Sequence, residues 1–586
     1  MKARSVLVRI IAAFVCLLMF LGVIYVAFYG VFNAGADDAS QIYPINTDNM
    51  VRVAKNYKFS TIDCLAQSQS VGSTGPLGLN LYINNGSSDI SLCIRNGMTV
   101  VMRDISMSKD SQGNFIPATA NLIYSPYNLI SDVSYVSLSE FNQAVDSLPD
   151  SVKGHHTFPI ISEGRYYIGL GMHLNEGERD LLASSLPDCG DIHFTSYAAT
   201  DKMLALADKT SGDTILKLNT ADAALYAYPV QPDSEKQTYY IINEYNYTYE
   251  GVFEYQTTSS GMSMINTVDF EAYMRGVLPY EISSDWPDEA LKAFAIVMRS
   301  YTLAGKPFKH PNDNYDFCDS THCQVYRGLH YATARTNNII NETKGLVCTY
   351  DNQVACTFYH AITGGPTISY KDAWDWSNES YPYLISVMVP YENYKKYTNG
   401  VWKTTVSLND LSDYLLSKSK ILSKLNSPVA DVKITRYLDT GYAYELTLTG
   451  TNGNKAVFKQ SDEVRNILTR YVKSSRMTIS NPVTFTINDS GPVTAASADY
   501  NVISADAGGN TSITRLDQDA CIITADGYEQ LKVDKTQYIF NGTGWGHGVG
   551  ISQYGIKDMA DLGFTYDQII KAYFPLVTIQ NYSELN

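Results

Sequence analysis

Residues 10–32, IIAAFVCLLMFLGVIYVAFYGVF, form a 23-residue run without a charged side chain. A helix needs about 20 such residues to cross the hydrocarbon of a bilayer. Lys2, Arg4 and Arg9 precede the run, and Asp37 and Asp38 follow it. That asymmetry keeps a short tail in the cytoplasm and sends the remainder outside. The expectation is a single-pass anchor over residues 1–36. A cleaved signal peptide, with Ala34-Gly35-Ala36 as its cleavage site, is the competing reading. Its apolar stretch would be only about 7–15 residues long, which favours the uncleaved anchor. In both readings the chain from about residue 34 works outside the cytoplasm.

The charge balance narrows the partners. Lys and Arg number 44 against 60 Asp and Glu, a net charge of −16. Such a chain has no general electrostatic claim on nucleic acid, nor on an anionic membrane surface or wall. A hydrophobic content of 45% excludes wholesale disorder. Charged residues are scarce while tyrosines number 45. A tyrosine-rich surface suits sugar binding, and a compositional bias gives the same excess. Cys16 lies in the apolar run, and the other eight cysteines are too sparse for a disulfide scaffold. Cys348 and Cys356 flank Asp351-Asn352 in an alternating pattern that predicts a hairpin. Two buried free thiols are expected there, with a cross-strand disulfide as the alternative.

Patterning predicts an α+β ectodomain in several parts. Residues 37–75 read as an irregular stalk and 76–150 as a β-rich region of short alternating runs. In 151–230 the expected order is a strand at 166–170, a helix at 176–186, a strand at 192–197, a helix at 202–207 and a strand at 214–218. This β-α-β-α-β order resembles a SPOR domain, a family that binds peptide-stripped peptidoglycan, and equally a generic βαβ unit. After a Pro-containing linker at 229–236, the stretch 238–586 reads as one mixed, β-rich domain. It opens with successive strands over 238–268 and carries helical segments near 409–425 and 461–474.

Two regions of that domain carry candidate chemistry. In the first, Asp269–Val277 reads as a helix that Pro279 ends, followed by a turn over Tyr280–Ser284. A second helix is capped by Ser284 or Asp285, with Pro287 in its first turn. Glu281 lies in this apolar turn beside Tyr280 and Ile282, with Trp286 near. Desolvation there favours the protonated acid, which a general acid at neutral pH requires. A capping or salt-bridged glutamate is the plain alternative. In the second region, His310, Cys318, His322 and Cys323 make an H-x7-C-x3-H-C set. Two thiolates and two imidazoles suit a closed, structural tetrahedral zinc. A Cys318–Cys323 disulfide remains open, and a catalytic zinc would need a free coordination position.

Longer motifs point to a family. Gly276-Val277-Leu278-Pro279-Tyr280-Glu281-Ile282, then Trp286-Pro287-Asp288-Glu289-Ala290-Leu291-Lys292-Ala293-Phe294-Ala295 and Arg299-Ser300-Tyr301, resemble the core motif of the SpoIID/LytB family. Phe294 stands for the usual Gln and Ile282 for the usual Met. Near the C-terminus, the run from Phe540 to Gly555, FNGTGWGHGVGISQYG, resembles the family's glycine-rich GWGHGVGMSQYG motif. A looser match runs from Phe358 to Gly365, with Trp374 and Pro382-Tyr383-Leu384. Asp319–Tyr326 resembles a stretch of zinc-containing SpoIID members. The resemblance covers roughly 238–580.

It implies a peptidoglycan lytic transglycosylase that cleaves the MurNAc-β-1,4-GlcNAc bond of peptide-stripped strands and leaves 1,6-anhydro-MurNAc ends. Glu281 falls on the family's catalytic position. Tyr280, Trp545, His547, Ser552, Gln553 and Tyr554 lie in motifs suited to a glycan groove, with Trp545 as a stacking face. A tight structural loop is the plainer reading of the glycines. The implied setting is engulfment during sporulation, at the cell membrane, with a cell-wall amidase and other engulfment proteins as partners and no nucleic acid. LytB-type relatives act as amidase modifiers, so a non-catalytic glycan-binding activator is the second reading.

Overall fold

The computed structural model describes residues 125–197, 261–374, 381–486 and 532–585 without interruption, with shorter segments between 50 and 258 and between 492 and 530. The apolar run 10–32 lies outside the described residues. Among the described residues no helix is long and apolar enough to cross a membrane. The fold is mixed α+β with several sheets. Contacts group the chain into two compact units. One comprises the residues up to Glu281 together with Pro307–Ala332, and the other comprises Ile282–Lys306 together with the chain from Thr333.

The first unit holds two large sheets. In the seven-stranded sheet, Met50–Phe59 lies between Phe317–Cys318 and Gly261–Asp269. Its long antiparallel pairing sets Val51 opposite Val268 and Val53 opposite Asn266. Val51, Val53 and Ala54 are buried. Between them, Arg52 reaches Glu254 at 2.8 Å, and the Glu254 side chain is buried. This strand lies in the stretch expected as a stalk. The alternation Val51-Arg52-Val53 is too short to stand out beside the polar residues that follow, and only the partner strand makes it a strand.

The second sheet has eight strands, in the order Phe194–Ser196, Tyr127–Tyr135, Arg165–His173, Thr157–Ser162, Thr214–Asn219, Met203–Asp208, Met98–Val101, Thr61–Ile62. It draws strands from both sides of residue 150. Helices Leu138–Ser147 and Glu176–Ser185 begin at Ser137 and Asn175, whose side chains each accept a backbone N–H of the first turn. Met203–Asp208 is a strand, where a helix was expected. Met203, Leu204, Ala205 and Leu206 are all buried between two neighbouring strands. A short continuous apolar run carries no period that separates strand from helix, and the sheet decides it.

The second unit centres on a core of Leu411, Leu415, Leu425, Leu446, Leu448, Phe458 and Phe540, among others. Leu408–Leu416 and Ser419–Leu425 are two helices rather than one, and Ser461–Ile467 ends before the expected 474. Strand Gln537–Thr543 pairs with both Val401–Ser407 and Met477–Ser480, which delivers the chain directly into the glycine-rich motif. The hairpin at Asp351-Asn352 forms as expected, both turn residues having positive φ. Cys348 and Cys356 are buried and form no disulfide.

One buried charge site in the first unit has a measurable consequence. The Lys217 amine is enclosed in the eight-stranded sheet. It donates to the Ser125 carbonyl at 2.6 Å and to Asn128 Oδ1. Burial pulls its pKa from 10.5 down to about 7. The unfolded amine therefore holds a proton over a range in which the folded one does not. Stability gains from this group as pH rises from about 7 toward 10.5, with a slope of at most about 1.4 kcal/mol per pH unit. Chemical denaturation of wild type and Lys217→Met at pH 7 and pH 9 tests this. The wild type should gain stability relative to the variant at the higher pH, and parallel curves would refute it.

Candidate active site and metal centre

Helix Phe270–Glu281 starts at Asp269, whose Oδ1 accepts the N–H groups of Glu271 and Ala272 at 3.0 and 3.1 Å. It does not stop at Pro279. A proline loses its own N–H and crowds the carbonyl four residues back, but Pro279 lies in the last turn, and Tyr280 and Glu281 complete the helix. Glu281 is thus a helix C-terminal residue rather than a member of a free turn. There the helix dipole opposes negative charge. Gly276 explains how the helix sits. A Cβ at that position would lie 2.5 Å from the Tyr326 ring and 2.8 Å from the Gly328 carbonyl. The bare glycine lets the helix lie against the segment 325–328. At its end, the Val325 N–H donates to Glu281 Oε1 at 3.1 Å.

That segment is fixed from several sides. The Tyr273 hydroxyl donates to Gln324 at 3.2 Å, and the Tyr326 hydroxyl to Asn266 at 2.8 Å. Arg327 binds the Asp319 carboxylate at 2.7 Å. Tyr280, half-buried, packs its ring 4.8 Å from that of Tyr331. Its buried hydroxyl has no hydrogen-bond partner, and burial raises its pKa.

Immediately before Val325 lies the thiol–imidazole set. Ligand atoms of His310, Cys318, His322 and Cys323 all lie within 4.8 Å of one another. His310 Nε2 is 3.3 Å from Cys323 Sγ, while His322 Nδ1 is 3.4 Å from Cys323 Sγ and 3.6 Å from Cys318 Sγ. Zinc–sulfur and zinc–nitrogen bonds at the tetrahedral angle put N and S about 3.5 Å apart, so the donor set fits that ion. Both thiols are free. Burial pushes the Cys323 thiol up to about 12 and lowers the His322 pKa. Asp313 Oδ2 lies 2.9 Å from His310 Nδ1, so the carboxylate holds that nitrogen and turns Nε2 toward the thiols.

The remaining motif residues belong to the second unit. Arg299, Ser300 and Tyr301 are all buried. Arg299 donates to the Leu346 carbonyl, Ser300 Oγ accepts the Cys348 N–H, and Tyr301 packs against Phe358 and Tyr359. Trp286 sets its ring 5.3 Å from that of Tyr554, which also stacks 4.2 Å from Tyr397. Arg335 clasps this corner through the Ser284 and Trp286 carbonyls and Asp288.

The glycine-rich motif interleaves with the looser one. Tyr359 and His360 pair in parallel with Ile551 and Ser552, and Ile362 bridges to Trp545. Gly550 has φ 71°, and a Cβ there would fall 2.1 Å from the Phe358 carbonyl, so only glycine closes this crossing. Trp545 is exposed, with Lys473 Nζ 5.8 Å from its ring centroid. The Val549 N–H donates to His547 Nδ1, and the His547 ring lies 5.0 Å from Trp374 and 5.6 Å from His360. His360 is fully enclosed and held neutral, its pKa lowered to about 3 by burial and then by His547. Ser552, expected at a sugar, is instead buried. Its hydroxyl donates to the Ala361 carbonyl and caps helix Gln553–Asp561 through the Gly555 N–H. Gln553 opens that helix.

Glu392 was not singled out from the sequence. It accepts the Thr363 N–H at 3.0 Å beside the interleaved motifs, and burial raises its pKa to about 7. A single carboxylate closing the apolar run Tyr383–Tyr391 was the available signal. Because the folded pKa exceeds the unfolded value of 4.5, its contribution to stability is full below about pH 4.5 and is lost as pH rises through about 7. Glu392→Gln, which keeps the acceptor, should flatten stability between pH 4.5 and 7 as read by denaturant midpoints. An unchanged slope would refute the assignment.

Comparison with known proteins agrees with the motif around Glu281. Residues 258–350 match the family model described as SpoIID, stage II sporulation protein. Over those residues the chain resembles the SpoIID/LytB family. It is 27% identical over 334 residues to the amidase enhancer of Bacillus subtilis (strain 168), covering 53% of this chain and 40% of that protein. It thus spans less than half the length of that relative. It is 26% identical over 339 residues to an uncharacterized protein of Brachyspira hyodysenteriae, covering 58% and 74%. Against stage II sporulation protein D of Bacillus subtilis the identity is 23% over 325 residues, covering 53% and 74%. The region matched by the SpoIID model contains Glu281, Val325 and all four thiol–imidazole residues.

Proposed function

We propose that this chain is a SpoIID/LytB-type peptidoglycan lytic transglycosylase that acts outside the cell on peptide-stripped glycan strands, in the wall remodelling of sporulation and engulfment. The observation that carries this reading is the Val325 N–H held on Glu281 at the end of a helix within the SpoIID-matched region. Two-carboxylate glycosidases need a second acid to supply a nucleophile or to activate water. Here the C6 hydroxyl of the sugar supplies the nucleophile. Glu281 protonates the leaving glycosidic oxygen as its bond to the anomeric carbon breaks. It then takes the proton of the C6 hydroxyl as the new C–O bond closes the anhydro ring. In the first unit the half-buried Tyr280 beside Glu281 is the side chain offered to the glycan; in the second unit the exposed Trp545 and the half-buried His547 and Tyr554 suit sugar contact on their own. Residues 10–32 anchor the chain in the membrane with the catalytic part outside.

His310, Cys318, His322 and Cys323 would hold zinc as a structural centre, the ion supplying a cross-link between His310, which follows helix Asp288–Lys309, and the loop 318–323. A second reading rests on the relative named amidase enhancer. In it the chain binds glycan and modifies a cell-wall amidase without cutting.

Incubation of the chain lacking residues 1–36 with stripped strands separates the two readings. Transglycosylation should give 1,6-anhydro-MurNAc products, and Glu281→Ala should lose at least about a hundredfold in rate, the lower end for a general acid. Binding without product would leave the modifier reading. Reducing ends formed by water would indicate a hydrolase. The metal is tested separately: about one zinc per chain by elemental analysis, lost in Cys318→Ser. Metal-free wild type would remove the centre.

A further inference from the structure

The thiol–imidazole set and Glu281 are joined by a very short path. Cys323 is followed by Gln324 and then by Val325, whose N–H donates to Glu281 Oε1. Cys318 and Cys323 close this loop at one end, and Cys318 itself sits on the short strand Phe317–Cys318, paired in parallel with Met50–Phe59. The other end is held by Tyr326 on Asn266 and by the close approach of Gly276. Between those two fixed points, only two peptide units separate a ligand sulfur's residue from the donor that touches the carboxylate.

We infer that the metal centre is a positioning device for Glu281: with the ion bound, Cys323 is fixed, the Val325 N–H is aimed, and the carboxyl is held in one orientation at the helix end. Asp313 belongs to the same device, because its bond to His310 Nδ1 keeps Nε2 turned to the ion. The inference rests on the zinc reading above. It goes further in tying the centre to the orientation of the acid, where a purely structural centre would merely hold the domain together. Reciprocity follows from linkage: a bond strengthened by the ion must in turn strengthen binding of the ion.

The test is site-resolved amide hydrogen exchange on the chain lacking residues 1–36, zinc-loaded and chelator-stripped. Stripping should speed exchange at Val325 at least tenfold while the amides of strand Gly261–Asp269 stay protected. In the loaded protein, Glu281→Ala should speed Val325 exchange, and Glu281→Gln, which keeps an acceptor oxygen, should restore protection. Asp313→Ala should weaken zinc binding in chelator competition several-fold without removing a ligand. Loss of protection throughout the Gly261–Asp269 strand would mean a merely structural centre and overturn the inference. Val325 exchange that is indifferent to zinc, in a protein that does bind zinc, would also overturn it and leave the zinc reading standing. A protein that takes up no zinc would remove both.

Discussion

The first unit's candidate chemistry depends on one close approach, that of Gly276 to the Tyr326 ring and the Gly328 carbonyl. Any side chain at 276 would push the helix Phe270–Glu281 away from the segment behind it. The hydrogen bond from Val325 to Glu281 would then lengthen past usefulness, since such bonds weaken steeply with distance and angle. Asp269 at the start of the helix and Asn266 beneath Tyr326 come from the same strand, Gly261–Asp269. One strand therefore sets both the helix and the loop it meets. That common origin allows an acid on a helix end to be placed accurately without many direct contacts.

The glycine-rich motif uses the same device with different parts. There the backbone of Phe358–Ile362 and that of Trp545–Ser552 exchange hydrogen bonds at van der Waals distance, and the glycines are what make room. Several polar residues around this crossing point inward. Ser552 caps a helix, His360 bridges Thr363 and the Val549 carbonyl, and Arg299 is spent on a carbonyl. Trp545 is the side chain that breaks this pattern and faces solvent.

Much of this was legible in the sequence where the signal is local. The hairpin at Asp351-Asn352 and the clustering of His310, Cys318, His322 and Cys323 follow from turn chemistry and ligand spacing. Readings that depend on a distant partner were not legible. Met203–Asp208 carries helix-forming residues and becomes a strand only because strands flank it on both sides. Pro279 was read as a helix stop from its own chemistry, whereas it sits in the last turn and the helix runs two residues further to Glu281. Ser552 looked like a ligand-facing hydroxyl because nothing in the motif shows which way a side chain turns. Glu392, with only a weak signal, and Val325, with none, were missed for a simpler reason. A backbone N–H has no sequence signature, and a lone acid gains meaning only from its neighbours.

The position of the strand Met50–Phe59 also sets a length. Seventeen residues, 33–49, separate the apolar run from Met50, and a chain spans at most about 3.5 Å per residue, roughly 60 Å in all. Because Met50–Phe59 is an interior strand of its sheet, paired on both sides, that sheet cannot release more chain without breaking its long pairing with Gly261–Asp269. With residues 10–32 in the membrane, the first unit would be a short-leashed body confined to the layer of wall nearest the bilayer, and strands farther out would have to come to it.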